Sequence, residues 1–177
     1  MTGVQTCAVP IYGALYSNSS GGYNTGYGAY ALYSNTTASN NTAVGYQAGY
    51  SNTTGAVNVF MGYQAGYSNT TGGANTSVGH QAGFSVNGGS ENTFVGASTS
   101  GYGAGYGVTT GSNNVALGGE TFKATMTGNW NTALGYGSLS SNTIGNYNTG
   151  VGAGALQANT TGAQNNAVGY VALYANT

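Results

Sequence analysis

The sequence predicts an all-β chain wound as a β-solenoid or β-roll of about ten 17-residue coils, with no helices of note. Three observations carry that expectation. The phrase NTAVGYQAGYSNTTG at residues 41–55 is nearly repeated as NVFMGYQAGYSNTTG at residues 58–72. Its leading Asn recurs at Asn24, Asn41, Asn58, Asn75, Asn92, Asn114, Asn131, Asn148 and Asn165, and every step is 17 except one of 22. The fifth position of the repeat is Gly in all nine copies: Gly28, Gly45, Gly62, Gly79, Gly96, Gly118, Gly135, Gly152 and Gly169. Disordered low-complexity chains have no reason to hold phase this tightly, and helices are disfavoured because each Gly costs them about 1 kcal/mol.

The elements of one copy follow in order. Positions 2 to 4 (TAV in residues 42–44) are β-branched or small and alternate as a short strand does. The glycine after them marks a bend that a Cβ would obstruct. Positions 6 to 10 (YQAGY and its variants) suit a second short strand, and positions 11 to 15 (SNTTG) carry turn chemistry. Stacked coils place like on like, at roughly 4.8 Å per coil. The fourth position is the one steadily aliphatic line, Val44, Met61, Val78, Val95, Leu117, Leu134, Val151 and Val168, and is expected to fill the interior. The tenth, Tyr33, Tyr50, Tyr67, Phe84 and Tyr106, is aromatic but becomes Lys123, Ser140 and Gln157 further on. Burying an unpaired ammonium is costly, so this line is expected at a surface, facing another chain or a glycan. The single 22-residue step reads as a five-residue insertion near residues 98–102 that loops out of the rod.

Residues 12–23 fit the later positions of an earlier copy, so residues 12–177 form the repeat region. Residues 1–11 (MTGVQTCAVPI) do not fit, and they hold the only Cys and the only Pro. They resemble translated sequencing-adaptor sequence and read as foreign to the fold. The chain stops at the thirteenth position of a copy, so it reads as a piece of a longer array, truncated at both ends.

Charge excludes several functions. Arg and Asp are absent, and the charged side chains are Glu91, Glu120 and Lys123, with His80 the one switchable group. A chain without a basic patch cannot neutralise phosphates, so nucleic acid is not an expected partner. General acid–base work needs converging titratable groups, and one His with two Glu in different phases supplies neither these nor a metal shell. No catalysis, metal or cofactor is expected, and no membrane-spanning segment is seen. GYGAGYG (residues 101–107) has the glycines of a phosphate loop without its Lys, and the NTT triplets at Asn35, Asn52, Asn69 and Asn159 read as turns before glycosylation sites.

The phrases NTAVG, NTALG, NNVALGG and NNAVGY resemble the head repeats of trimeric autotransporter adhesins (YadA-like heads) and repeats of phage tail-fibre-like proteins. The resemblance covers residues 12–177. It implies a left-handed parallel β-roll, three chains per fibre and a role in attachment, on a cell surface or a virion. This chain departs from the family in its longer coil and in using Tyr and Thr where the family uses Ala, Ser and Ile.

Three function classes follow. The first is a structural and adhesive fibre segment, a homotrimer whose receptor is a host-surface glycan or protein. The second is a carbohydrate-binding solenoid, with Tyr46, Tyr63, Tyr136 and Tyr170 offering rings for sugars to stack on. The third, an ice-binding solenoid, would use the Thr line Thr36, Thr53, Thr70, Thr109 and Thr160, although here Thr stands in a turn rather than on a flat strand.

Overall fold

The computed structural model describes residues 12–176, so the adaptor-like stretch 1–11 lies outside the described residues. Nine three-residue strands form one sheet: β1 Thr25–Tyr27, β2 Thr42–Val44, β3 Val59–Met61, β4 Thr76–Val78, β5 Thr93–Val95, β6 Val115–Leu117, β7 Thr132–Leu134, β8 Thr149–Val151 and β9 Asn166–Val168. Every strand pairs in parallel with its sequence neighbour, in the order β1 to β9. The chain is a β-solenoid without helices among the described residues. The nine strands bound eight full turns rather than about ten, with part of a further coil before β1. Register survives the long step, where Thr93 sits opposite Val115 and Val95 opposite Leu117. The extra residues loop outward, with Ala97, Thr99 and Ser100 exposed.

The interior line differs from the expected one. In each strand only the middle residue is buried. The third position therefore fills the core, with Ala43, Phe60, Ser77, Phe94, Ala116, Ala133 and Ala167 inside. Val44, Val78, Leu134 and Val151 are only half-buried, and Met61 (42%), Val95 (36%), Leu117 (41%) and Val168 (72%) are exposed. The cause is strand parity. Side chains alternate between faces, and the buried first-position Asn shares the inward face with position 3. Position 4 must point outward.

The second strand expected at positions 6 to 10 is also absent; a run of turns replaces it. Positions 7 and 9 carry positive φ, as at Gln47 (54°), Gly49 (61°), Leu32 (50°) and Leu139 (51°). Such geometry costs an L residue about 1 kcal/mol or more, and here inter-coil hydrogen bonds offset it. The Gln47 amide donates to the Ala29 carbonyl of the preceding coil at 2.9 Å, and the Gly49 amide donates to Ala65 of the next at 2.9 Å. Successive inter-coil bonds thus run in opposite directions, and the backbone is satisfied without a strand.

Core packing couples position 3 to position 9. Where position 9 is Leu or Phe (Leu32, Phe122, Leu139, Leu156), position 3 is Gly or Ala. Where position 9 is Gly (Gly49, Gly66, Gly83, Gly105), one Phe serves two coils. A Cβ on Gly49 would lie 2.6 Å from the Phe60 ring and one on Gly66 only 2.2 Å from it, while one on Gly83 or Gly105 would lie 2.9 or 2.4 Å from Phe94. The cross-section is too thin for two large side chains in one coil.

The fifth-position glycines have φ between 114° and 142°, and their α-carbons face the backbone of the next coil. At Gly62 (φ 134°) a Cβ would stand 2.4 Å from the Gly79 carbonyl oxygen. Gly62→Val is therefore expected to destabilise the solenoid by about 3 kcal/mol or more, because φ and space both oppose a β-branched residue. A thermal melt within a degree or so of the parent would contradict this assignment.

Candidate functional site

Two aromatic lines and a polar line between them run along one side of the coil. Position 10 forms a column in which Tyr16, Tyr33, Tyr50, Tyr67, Phe84 and Tyr106 stack at 5.1–5.2 Å between centroids and within 3–8° of parallel. Position 6 adds a shorter column, Tyr46 on Tyr63 at 5.5 Å and Tyr63 on His80 at 5.1 Å. Between them position 7 makes an amide ladder, Gln81 donating to Gln64 and Gln64 to Gln47 at 2.9 and 2.8 Å.

Exact repetition creates these columns. In-register coils bring identical side chains to the spacing at which rings stack and amides pair. Tyr33, Tyr50, Tyr67, Phe84 and Tyr106 are thereby brought together, half-buried. Their faces cover one another, so a column shows solvent its edges and hydroxyls. Tyr46 and Tyr63 are likewise paired. Tyr136 and Tyr170 lie in the same line, but Ala153 separates them and they stay exposed.

The column ends at the insertion, where two of the chain's three charged side chains meet. Tyr102 meets Tyr106 edge-on at 4.9 Å, and the Lys123 ammonium lies 4.3 Å above the Tyr102 ring. Lys123 pairs with Glu120 at 3.4 Å, and Ser100 and Tyr136 each donate a 2.6 Å hydrogen bond to Glu120 Oε1. Those two bonds, with Lys123 adding to them, hold the Glu120 carboxyl below its ordinary 4.5. Donation to Glu120 holds the Tyr136 phenol above its ordinary 10.0. Sequence reading did not bring Ser100, Tyr102 or Tyr136 to Glu120 and Lys123. The available signal was the insertion itself, which opens one coil before Glu120.

The remaining candidates fall apart in space. Glu91 is exposed at position 17, away from Glu120. Among the described residues no cluster of three or more His, Cys, Asp or Glu could hold a metal, and no helix is long and apolar enough to cross a membrane. Along the Thr line Thr36, Thr53, Thr70 and Thr109, with Thr143 in the same phase, each donate a hydroxyl to a carbonyl of the next coil at 3.0–3.1 Å, and Thr160 stands exposed. Such hydroxyls are already committed, which weighs against an ice-ordering surface. The bend glycines face the backbone of the neighbouring coil, and the position-4 side chains form a separate, charge-free line outside the sheet.

The geometry defines a β-solenoid with an aromatic flank. Compared with protein-family models, curated proteins and solved structures, the chain matches none.

Glu120 sets a pH dependence with a definite sign. A carboxyl held below its ordinary value stabilises the fold above that ordinary value, and the contribution is lost as pH falls from it through the lowered one. Acidification below about pH 4 should lower the melting temperature. Glu120→Gln, costing about 1 kcal/mol at neutral pH, should flatten that fall. An equal fall in both proteins would remove Glu120 from the account.

Proposed function

We propose that this chain is a rigid segment of an attachment fibre, a homotrimeric cell-surface adhesin or phage tail fibre whose receptor is a host-surface glycan or protein. The observation that carries the reading is the uncovered position-4 line. Tyr27, Val44, Met61, Val78, Val95, Leu117, Leu134, Val151 and Val168 stand outside nine in-register strands, with no charged residue in the row. Monomeric proteins protect such sheet surfaces with charge, whereas chains that associate bury them. Position 2 flanks the row with Thr or Val in most copies, so the face is smooth and β-branched.

Assembly then divides the surface. The aliphatic row packs between chains, and the aromatic flank, with the tenth-position column, is left to meet a receptor or a further chain. The unbroken parallel pairing makes each chain a stiff rod, as a spacer or adhesive segment requires. Such a protein works outside the cell or on a virion. A second reading, carbohydrate binding, is favoured by the gap between Tyr136 and Tyr170.

Sedimentation of the chain should give three times its 17.5 kDa. Leu134→Lys with Val151→Lys should weaken association by about tenfold or more, since each places an ammonium in an apolar contact. A stable monomer, or a trimer indifferent to both changes, would contradict the fibre reading.

A further inference from the structure

The position-6 line is interrupted in the same way near both ends of the chain. Tyr12, Ala29 and Tyr46 occupy it in three successive copies early on, and Tyr136, Ala153 and Tyr170 do so later. In each trio the Ala leaves a gap between two tyrosines that are two coils apart, roughly 9.5 Å at ordinary interstrand spacing. Position 7 of the first coil is Gly in both trios, Gly13 and Gly137, which clears the floor.

The residue after the Ala decides whether each gap is filled. After Ala29 comes Tyr30, whose ring enters the early gap edge-on, 5.3 Å and 88° from Tyr12 and 6.3 Å and 86° from Tyr46. After Ala153 comes Gly154, and the later gap stays open as a groove of about 160 Å³ between Tyr136 and Tyr170, floored by Gly137, Ala153 and Gly154 and edged by Gln157 and Val171. At the early gap one six-membered ring stands at right angles to both tyrosines, so the space admits a ring, and one that carries its C–H bonds on its faces would lie parallel to the two walls. Aromatic contact operates at centroid separations of about 4.5–7 Å, so a gap near 9.5 Å holds one such ring against both walls.

The lining differs at one wall as well. Where Tyr33 flanks the early gap, meeting Tyr30 at 5.6 Å, the later gap has Gln157. That amide offers a donor and an acceptor and makes no side-chain hydrogen bond among the described residues. A phenyl ring offers that half-buried amide no hydrogen bond, whereas a sugar hydroxyl does. A pyranose carries C–H bonds on its two faces and hydroxyls around its rim, and the nearest charge, Glu120, is already held by Ser100, Tyr136 and Lys123. We infer that the gap between Tyr136 and Tyr170 is a binding site for one neutral pyranose ring of a glycan, the place that Tyr30 occupies for itself at the other end. The site lies between coils of one chain, so it stands whether or not chains assemble into a fibre.

The test is saturation-transfer NMR and titration calorimetry of the full chain with a panel of neutral methyl hexopyranosides, and with p-cresol as the aromatic arm. At least one glycoside should bind, with transfer strongest to the ring C–H protons. Gly154→Tyr recreates the early gap at a position whose φ (69°) resembles that of Tyr30 (60°), so it should fold normally and weaken binding by about tenfold or more. Tyr30→Gly opens the early gap and should add a second, weaker site, because Tyr33 there replaces Gln157. Binding that survives Gly154→Tyr, preference for p-cresol over every glycoside, or no glycoside binding would overturn the inference. The fibre reading is tested separately, since neither substitution touches the position-4 row and sedimentation should not change.

Discussion

Two lines of buried asparagine fasten each coil to the next, and the rest of the solenoid depends on them. At position 1 the backbone amide of each Asn donates to the side-chain oxygen of the Asn one coil earlier, at 2.9–3.0 Å along the whole array. Its own amide group reaches across the coil to the position-15 carbonyl, as Asn41 does to Gly55 at 2.9 Å. At position 12 a second Asn donates to the same carbonyl and to its counterpart in the preceding coil, as Asn52 does to Gly55 and Asn35 at 2.9 Å. Asparagine suits this place because one short side chain offers an acceptor and two donors, and no other uncharged side chain of that length does. Buried aspartate would supply only acceptors and bring charge, and the chain contains none. Where Val86 replaces the position-12 Asn, the ladder breaks and Asn69 Oδ1 is left without a partner.

That break belongs to a wider change in character. From Asn69 to Asn142 position 12 passes through Val86, Val108 and Thr125, and the Asn142 amide resumes the line by donating to the Met126 sulfur at 3.7 Å. Near the same place position 9 changes from Gly to Phe and Leu, position 10 changes from Tyr to Lys123, and the insertion loops out. Because each coil touches only its neighbours, such changes stay local and the register passes through them. The charged cluster of Glu120 and Lys123 covers the end of the aromatic column at this junction. Surface function can vary coil by coil while the asparagine lines maintain the rod.

Most of the architecture was legible in the sequence because it is periodic. The 17-residue phase, the strands at positions 2 to 4 and the loop after Gly96 can be read from residues alone. The interior was not. Three-residue strands are too short to show alternation, and position 3 is mostly Gly, Ala or Ser, so the aliphatic position 4 looked like the core. Phe60 and Phe94, paired with glycines at position 9, carried the missing signal. Positions 6 to 10 resembled a strand because positive φ at Gln47, Gln64 or Leu139 leaves no mark in composition. The tenth-position line was legible as a line, but the closing of its ring faces by stacking, and the open gap at Ala153, emerged only when coils were set in register.

The asparagine lines are tested most directly by Asn58→Asp, which keeps the shape of the side chain while removing its donors. Asn58 accepts from the Asn75 amide at 2.9 Å and donates to the Gly72 carbonyl at 2.9 Å, both in the buried interior. The exchange sets a carboxylate against that carbonyl, so denaturant unfolding at neutral pH should show a loss of about 3 kcal/mol or more. A variant that unfolds at the denaturant midpoint of the parent would show that packing alone holds the coils in register.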